Sequence, residues 1–255
     1  MLPAERKRKI VELVSDAGGR SVEALAEDLE YSKATIRRDL RELEDENLIE
    51  RSHGGAVPVT AVGREQTYGQ REVQNLDAKR AIAARAVEEL AEGQVVFFDS
   101  GTTTMEVAKR VPKDGSLLAV TNSIQLASEL GGEYSEVKLT GGTLRHRTRA
   151  LVGPTAEAFM ERMSFDVLFL GTNAVTAESG LATPNEDEAR MKELMVEKSA
   201  TVVLVADSSK VGERSFVRFA DPEDVDAFVT DDGIDRTARE SFERAGVRVA
   251  EVTVE

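Results

Sequence analysis

Cysteine is absent from the 255-residue chain and histidine occurs twice, at His53 and His146. Without cysteine there is no disulfide, no thiol nucleophile and no cysteine-based zinc site, and two histidines leave a catalytic metal without its usual ligands. No cofactor and no metal is therefore expected. Long apolar runs are missing too: stretches such as residues 95–98 and 202–205 fall far short of the roughly 18 consecutive apolar residues that span a bilayer. The N-terminus is charged rather than signal-like, so the expectation is a cytoplasmic protein and not a metalloenzyme. At this length two domains are expected, because residues 1–60 read differently from the rest.

What the chain has in excess is negative charge, with a formal net value of −14. Phosphate repels an acidic surface, which on its face argues against a nucleic-acid partner. Two readings stand: an ordinary acidic cytosolic protein, or a protein of a high-salt cytoplasm, whose spread of carboxylates and preference for Arg over Lys keep it hydrated. For DNA the local sign of charge matters more than the total.

In residues 1–60, Ile10, Leu13 and Val14 recur at helical spacing in a segment over residues 3–17, which Gly18 and Gly19 end. Ser21 is placed to cap a second helix with Leu25 and Leu29 on its inner face. After a turn at Glu30 and Tyr31, Ser32 caps a third helix, on which Ile36, Leu40 and Leu43 share one narrow arc. Arg37, Arg38 and Arg41 project to the opposite side with Ala34. A short capped helix with outward guanidinium groups suits a major groove, its N-terminal residues against base edges and its arginines on guanine or phosphate. The bland alternative is a solvated charged face that includes Asp39, Glu42 and Asp45. Residues 48–57 read as a short hairpin turning on two glycines, a wing from which Arg51 and His53 reach backbone phosphates or the minor groove. The candidate DNA-contacting residues are Ser32, Lys33, Thr35, Arg37, Arg38, Arg41, Arg51 and His53.

Two motifs in this region, Thr-Ile-Arg-Arg-Asp-Leu at 35–40 and His-Gly-Gly-Ala at 53–56, closely resemble the N-terminal signature of the DeoR family of bacterial and archaeal regulators. The resemblance implies a winged helix-turn-helix over residues 1–60. Tyr31 stands where the family pattern has a small aliphatic residue. Residues 61–73 lack a clear period and are expected to be a linker.

From residue 74 onward the pattern changes. A helix is expected over residues 76–91, and hydrophobic strands over 94–98, 117–120, 137–139, 167–170, 201–206, 227–229 and 247–252, many of them separated by helical patterns. This predicts an α/β domain at 74–255 with a doubly wound, mostly parallel sheet, and such sheets bind ligands beyond the carboxyl ends of their strands. Unusual polar clusters follow five of the strands: residues 99–104, 121–123, 141–143, 171–173 and 207–210. They should converge on one rim, where Gly101 permits a tight turn and hydroxyls with helix-opening N–H groups favour an anion. A lone turn of this kind is usually mere capping; five on one edge point to a site.

This second region also resembles the DeoR sensor domain, on the Asp-Ser-Gly-Thr-Thr turn at 99–103, Thr-Asn-Ser at 121–123 and Ala-Asp-Ser-Ser-Lys at 206–210. The resemblance implies a phosphorylated sugar or polyol effector, with Asp99, Ser100, Gly101, Thr102, Thr103, Thr104, Thr121, Asn122, Ser123, Gly141, Gly142, Thr143, Asn173 and Lys210 as the candidate effector-binding residues. Lys210 would offer a cation to phosphate and Asp99 would accept sugar hydroxyls. Arg145, Arg147 and Arg149 read equally as a phosphate clamp or as solvated charge. The family's sensor is in turn similar to ribose-5-phosphate isomerase, which raises an enzyme as the alternative. Isomerisation needs a carboxylate base, whereas Gly171-Thr172 is followed here by Asn173-Ala174. Asp166, Glu186, Asp187 and Glu188 remain as other sources of a base, and Glu188 with Lys192 reads as a surface pair. The function implied is a transcriptional repressor, or an activator with the same sensor, that binds double-stranded operator DNA as a homodimer or homotetramer, since one recognition helix covers only half of a two-fold site.

Overall fold

Pro3, whose ring nitrogen has no hydrogen to leave unpaired, opens α1 (Pro3–Asp16) in the computed structural model. The structure describes residues 2–16, 19–46, 48–52, 54–57, 65–132 and 136–254. These fall into two units, Met1–Leu76 and Asp77–Glu255.

In the first unit α1 is followed by β1 (Arg20–Ser21), α2 (Val22–Asp28) and α3 (Lys33–Asp45). Ser21 caps α2 by accepting from the Ala24 N–H at 3.1 Å, and Ser32 caps α3 by accepting from the Thr35 N–H at 3.2 Å. Each such cap is worth about 1 kcal/mol. Ile10, Val11, Val14, Leu25, Ile36, Leu40 and Leu43 are buried in one cluster, each contributing about 1.5–3 kcal/mol of apolar burial. The wing is β2 (Glu50–Ser52) and β3 (Gly55–Val57), and β1 adds a third strand on the free side of β3. Residue 55 must be glycine: a Cβ there would stand 2.2 Å from the Arg20 carbonyl oxygen. The unit runs past residue 60. Within the segment expected as a linker, α4 (Tyr68–Val73) is a helix that packs against α1, closed by a reciprocal cap between Thr67 and Gln70.

In the second unit α5 (Leu76–Ala86) leads to β4 (Val95–Phe98), α6 (Thr102–Ala108), β5 (Leu118–Thr121), α7 (Ile124–Leu130) and β6 (Val137–Leu139). Next come the hairpin strands β7 (Thr143–Leu144) and β8 (Leu151–Val152), then α8 (Pro154–Met160) and β9 (Phe165–Leu170). After these stand β10 (Ala174–Thr176), β11 (Gly180–Thr183), α9 (Glu186–Glu197), β12 (Ser199–Val205) and β13 (Val217–Ala220). The unit ends with β14 (Ala227–Asp231), α10 (Arg236–Arg244) and β15 (Arg248–Val252).

Seven of these strands make one sheet in the order β15-β14-β12-β9-β4-β5-β6, every neighbour parallel. Because both faces are covered, alternate residues of one strand enter different cores: Phe97 joins one cluster with Leu168 and Leu204, and Phe98 the other with Phe169 and Val203. The expected doubly wound α/β architecture is what the chain adopts. A separate antiparallel sheet, β10-β11-β13, was not anticipated from the sequence. The connections advance outward from β4 through β5 to β6 on one side and from β9 through β12 to β14 and β15 on the other. The winding therefore reverses between β4 and β9, where such sheets open a crevice. Among the described residues no helix is long and apolar enough to cross a membrane.

Candidate functional site

The outward face of α3 is the first of two places where polar chemistry collects. Ile36, Leu40 and Leu43 are buried, while Ala34, Arg37, Arg38 and Arg41 are exposed. Arg37 and Arg41 carry no ion pair among the described residues, and Arg38 has only Glu42, 3.5 Å away in solvent. At the start of the helix the hydroxyls of Ser32 and Thr35 lie 2.9 Å apart, and Lys33 pairs with Glu23 at 2.7 Å, a hydrogen bond that holds the Glu23 carboxyl below the usual carboxylate range. Arg51, on β2, is exposed and 3.8 Å from Glu44. His53 lies outside the described residues.

One residue of this helix departs from the sequence reading. The alternative of a solvated charged face includes Asp39, yet Asp39 is 1% exposed and receives two hydrogen bonds from Arg6 of α1, at 2.6 and 3.1 Å. That bond raises the Arg6 guanidinium above its ordinary range. The same guanidinium lies 4.5 Å from the centre of the Tyr31 ring, a cation–π contact. The aromatic residue at the turn thus has a partner that a small aliphatic one would not serve. Asp39 faces inward because α1 brings a matching fork; helical spacing alone could not show it.

The second place is the rim at the carboxyl ends of the large sheet. Because all seven strands are parallel, the five turns expected there leave the same edge, and register places Phe98 beside Thr121 and Phe169, Thr121 beside Leu139, and Leu170 beside Leu204. In the turn after β4, Thr104 Oγ1 donates to the carbonyl oxygens of Asp99 and Gly101, at 2.5 and 2.8 Å, and accepts from the Gly101 N–H at 2.8 Å. A Cβ at Gly101 would meet that hydroxyl at 2.9 Å. Ser100, Thr102 and Thr103 are buried around it.

After β5, Thr121 Oγ1 donates to the Phe98 carbonyl at 2.7 Å and Ser123 caps α7, while Asn122 donates to the Leu151 carbonyl at 3.4 Å. After β6, Gly141 and Gly142 take φ of 70° and 104°, and a Cβ on Gly142 would stand 2.5 Å from the Val152 carbonyl oxygen; Thr143 is exposed at the start of β7. After β9, Asn173 Oδ1 accepts from Thr183 at 3.0 Å. After β12, Lys210 is half-buried and carries no ion pair among the described residues. A further rim residue, Asp231 at the end of β14, accepts from the Ser208 N–H at 2.7 Å and the Ser208 hydroxyl at 2.6 Å. The Asp-Asp-Gly turn after that strand was the available signal for it.

At the crevice between β4 and β9 sits a charged pair. Asp99 is 1% exposed; one carboxylate oxygen accepts from the Ser100 N–H at 2.8 Å, the other from the Gly171 N–H at 3.0 Å and from Lys192. Lys192 also donates to the Gly171 carbonyl at 2.8 Å and stands 5.5 Å from the centre of the Phe219 ring. The expected surface pair of Glu188 with Lys192 is therefore corrected. Both are buried, and Glu188 accepts instead from Arg145 and Thr148 in the loop between β7 and β8. Glu188 and Lys192 lie on the face of α9 that Ala189, Met191, Leu194 and Met195 bury against the domain, and each finds a separate partner there. Arg145 is thereby engaged; Arg147 and Arg149 are exposed.

Of the other carboxylates considered as a base, Asp166 lies at the amino end of β9, accepting from the Val95 N–H at 2.7 Å, on the edge opposite the rim. Glu186 and Asp187 are exposed in the first turn of α9. No group of acidic and histidine side chains among the described residues could hold a metal ion.

Comparison with known proteins agrees with this two-part organisation. Residues 6–62 match the model of the DeoR-like helix-turn-helix domain, and residues 74–232 that of the DeoR C terminal sensor domain. Over 251 residues, 98% of each chain, the sequence is 75% identical to the HTH-type transcriptional regulator GlpR of Haloferax volcanii. It is 34% identical to the glycerol-3-phosphate regulon repressor of Escherichia coli over 91% of this chain and 92% of that one. Among solved structures, a D-ribose-5-phosphate isomerase in complex with phospho-erythronic acid aligns with a TM-score of 0.39, 14% identity and 52% of either chain.

Proposed function

The chain belongs to the DeoR family of transcriptional regulators, and from that membership we propose that it represses sugar or glycerol catabolism genes and leaves its operator when a phosphorylated sugar or polyol fills the rim. The observation that carries the reading is the exposed row of Arg37, Arg38 and Arg41 on a helix whose other face is buried. In a major groove that row supplies guanidinium forks to guanine and to phosphate, with Ser32, Lys33 and Thr35 at the helix start, Arg51 of β2 beside the backbone, and His53 a backbone-contacting candidate on the sequence alone. A homodimer or homotetramer presents two such helices to a two-fold site.

The rim supplies the sensing half. Asp99, Ser100, Gly101, Thr102, Thr103, Thr104, Thr121, Asn122, Ser123, Gly141, Gly142, Thr143, Asn173 and Lys210 are the residues proposed to surround the effector, with Lys210, which has no ion pair among the described residues, as a cation for its phosphate. Release from DNA requires the effector to bind the DNA-incompetent arrangement more tightly, each tenfold preference shifting the balance by about 1.4 kcal/mol. The net charge of −14 and the Haloferax volcanii relative favour the high-salt reading of the acidic surface, and the site of action is the cytoplasm, where the DNA is. Asp166 lies on the far edge, Glu188 is held by Arg145, and the Asp99 carboxylate at the crevice is tied to Lys192 and to the Ser100 and Gly171 N–H groups, which favours a regulator over an enzyme.

The test is a gel shift of the full chain on upstream DNA of sugar and glycerol catabolism genes, with and without a panel of sugar phosphates. Specific retention that one phosphate ester relieves is expected. Failure to retain any upstream fragment, or turnover of an ester in a proton-exchange assay, would overturn the reading. Repression is separated from activation by a reporter in cells lacking the regulator, whose expression should rise.

A further inference from the structure

Asn122, on the connection from β5 into α7, and Gln125, in the first turn of α7, stand three positions apart, and the carboxamide oxygen of each is sealed from water with no hydrogen-bond donor among the described residues. A buried acceptor without a donor is costly, because it loses its hydration and gains nothing in return. The neighbouring groups are already committed. Thr121 Oγ1 donates to the Phe98 carbonyl and accepts from the Ser123 N–H at 3.1 Å, and Ser123 Oγ accepts from the Leu126 N–H at 3.4 Å. Asn122 itself is 2% exposed. Its amide nitrogen faces the Leu151 carbonyl at 3.4 Å, which fixes the orientation of the carboxamide: turned over, its oxygen would confront another oxygen.

We propose that Asn122 and Gln125 read hydroxyl groups of the effector, so that Gln125, which the sequence did not single out, determines with Asn122 the preference for a hydroxylated ester over its bare alkyl counterpart. The inference rests on the reading of the rim as the effector site. A carboxamide oxygen attracts an O–H and repels the oxygens of a phosphate, so the hydroxylated end of the ligand belongs at the β5–α7 connection and the phosphate elsewhere on the rim. The ligand-free chain carries the cost of two unpaired oxygens, and binding relieves it. That relief is a differential interaction of the kind a ligand needs in order to shift a conformational balance.

Isothermal titration of the full chain with glycerol 3-phosphate, ribose 5-phosphate and propyl phosphate tests the assignment. The wild-type chain should favour a hydroxylated ester over propyl phosphate. Gln125→Met should reduce that preference about tenfold, one hydrogen bond's worth, while leaving propyl phosphate binding unchanged, and Asn122→Leu should reduce the preference to a similar degree. Gln125→Glu keeps an acceptor in place and should keep the preference, which holds the test open if a more apolar variant fails to fold. An undiminished preference in Gln125→Met and Asn122→Leu would overturn the proposal, as would equal loss of all esters, the mark of a merely structural role. Failure of the wild-type chain to bind any of the three would overturn this proposal together with the effector reading of the rim; a preference that survives both substitutions would overturn this proposal alone.

Discussion

Lys192 of α9 pairs with the carboxylate of Asp99, 93 positions earlier in the chain, at the crevice where the winding of the sheet reverses. Their two backbone contacts with Gly171, one accepted by Asp99 and one donated by Lys192, tie the end of β4 to the end of β9. A buried pair of this kind is dangerous to halve, since the survivor keeps its charge without its partner.

Lys192→Met should therefore lower the unfolding free energy by about 3–5 kcal/mol. Urea denaturation followed by circular dichroism checks it, and the double variant with Asp99→Asn should recover part of the loss. An unchanged midpoint in the single variant would mean that the pair is not buried in solution.

Lys210→Ala should behave in the opposite way. Half-buried and without an ion pair among the described residues, Lys210 contributes little to folding, and its removal should shift stability by no more than about 0.5 kcal/mol. Release of DNA by the effector should be lost. A normal response in a gel shift would remove Lys210 from the proposed effector site.

On α3 the two kinds of charge separate cleanly. Asp39→Ala leaves Arg6 buried without its partner and should cost about 3–5 kcal/mol in the first unit. Arg38→Ala breaks only a solvent-exposed contact with Glu42, so its melting curve should match the wild type while operator affinity falls by about 1–3 kcal/mol. Loss of affinity for every DNA sequence alike would assign Arg38 to phosphate rather than to a base.

Glu89 gives the acid limb a defined contribution. Hydrogen bonds from Arg248, with help from Arg85, hold its carboxyl below the ordinary range. A depressed folded-state value means that the unfolded chain binds the proton more readily, so the stabilisation is present above the usual carboxylate range of about 4.3 and is lost as pH falls through the lower folded value. Glu89→Gln should be less stable than wild type at neutral pH and should lose less on acidification; parallel curves would show that the bridge is not formed.

The features legible from the residues alone were local ones. Ser21 and Ser32 cap helices because a hydroxyl meets an N–H three positions on, and Ile36, Leu40 and Leu43 share an arc because the helix repeat puts them there. The polar turns could be foreseen on one rim because strands joined by helices run parallel, so that their ends share an edge. What only the tertiary structure decided was where the charges go. Asp39 looked solvated until α1 brought Arg6 to it, 33 positions away. Glu188 and Lys192 looked like a surface pair, since four-residue spacing reports only on their own helix, yet each is drawn inward by a partner from another element. The small β10-β11-β13 sheet was equally hidden, because its pairing depends on segments that the fold alone brings together. Periodicity and capping are settled within a turn or two of chain, whereas the burial of a charge depends on which distant group arrives to compensate it, and that is a property of the fold.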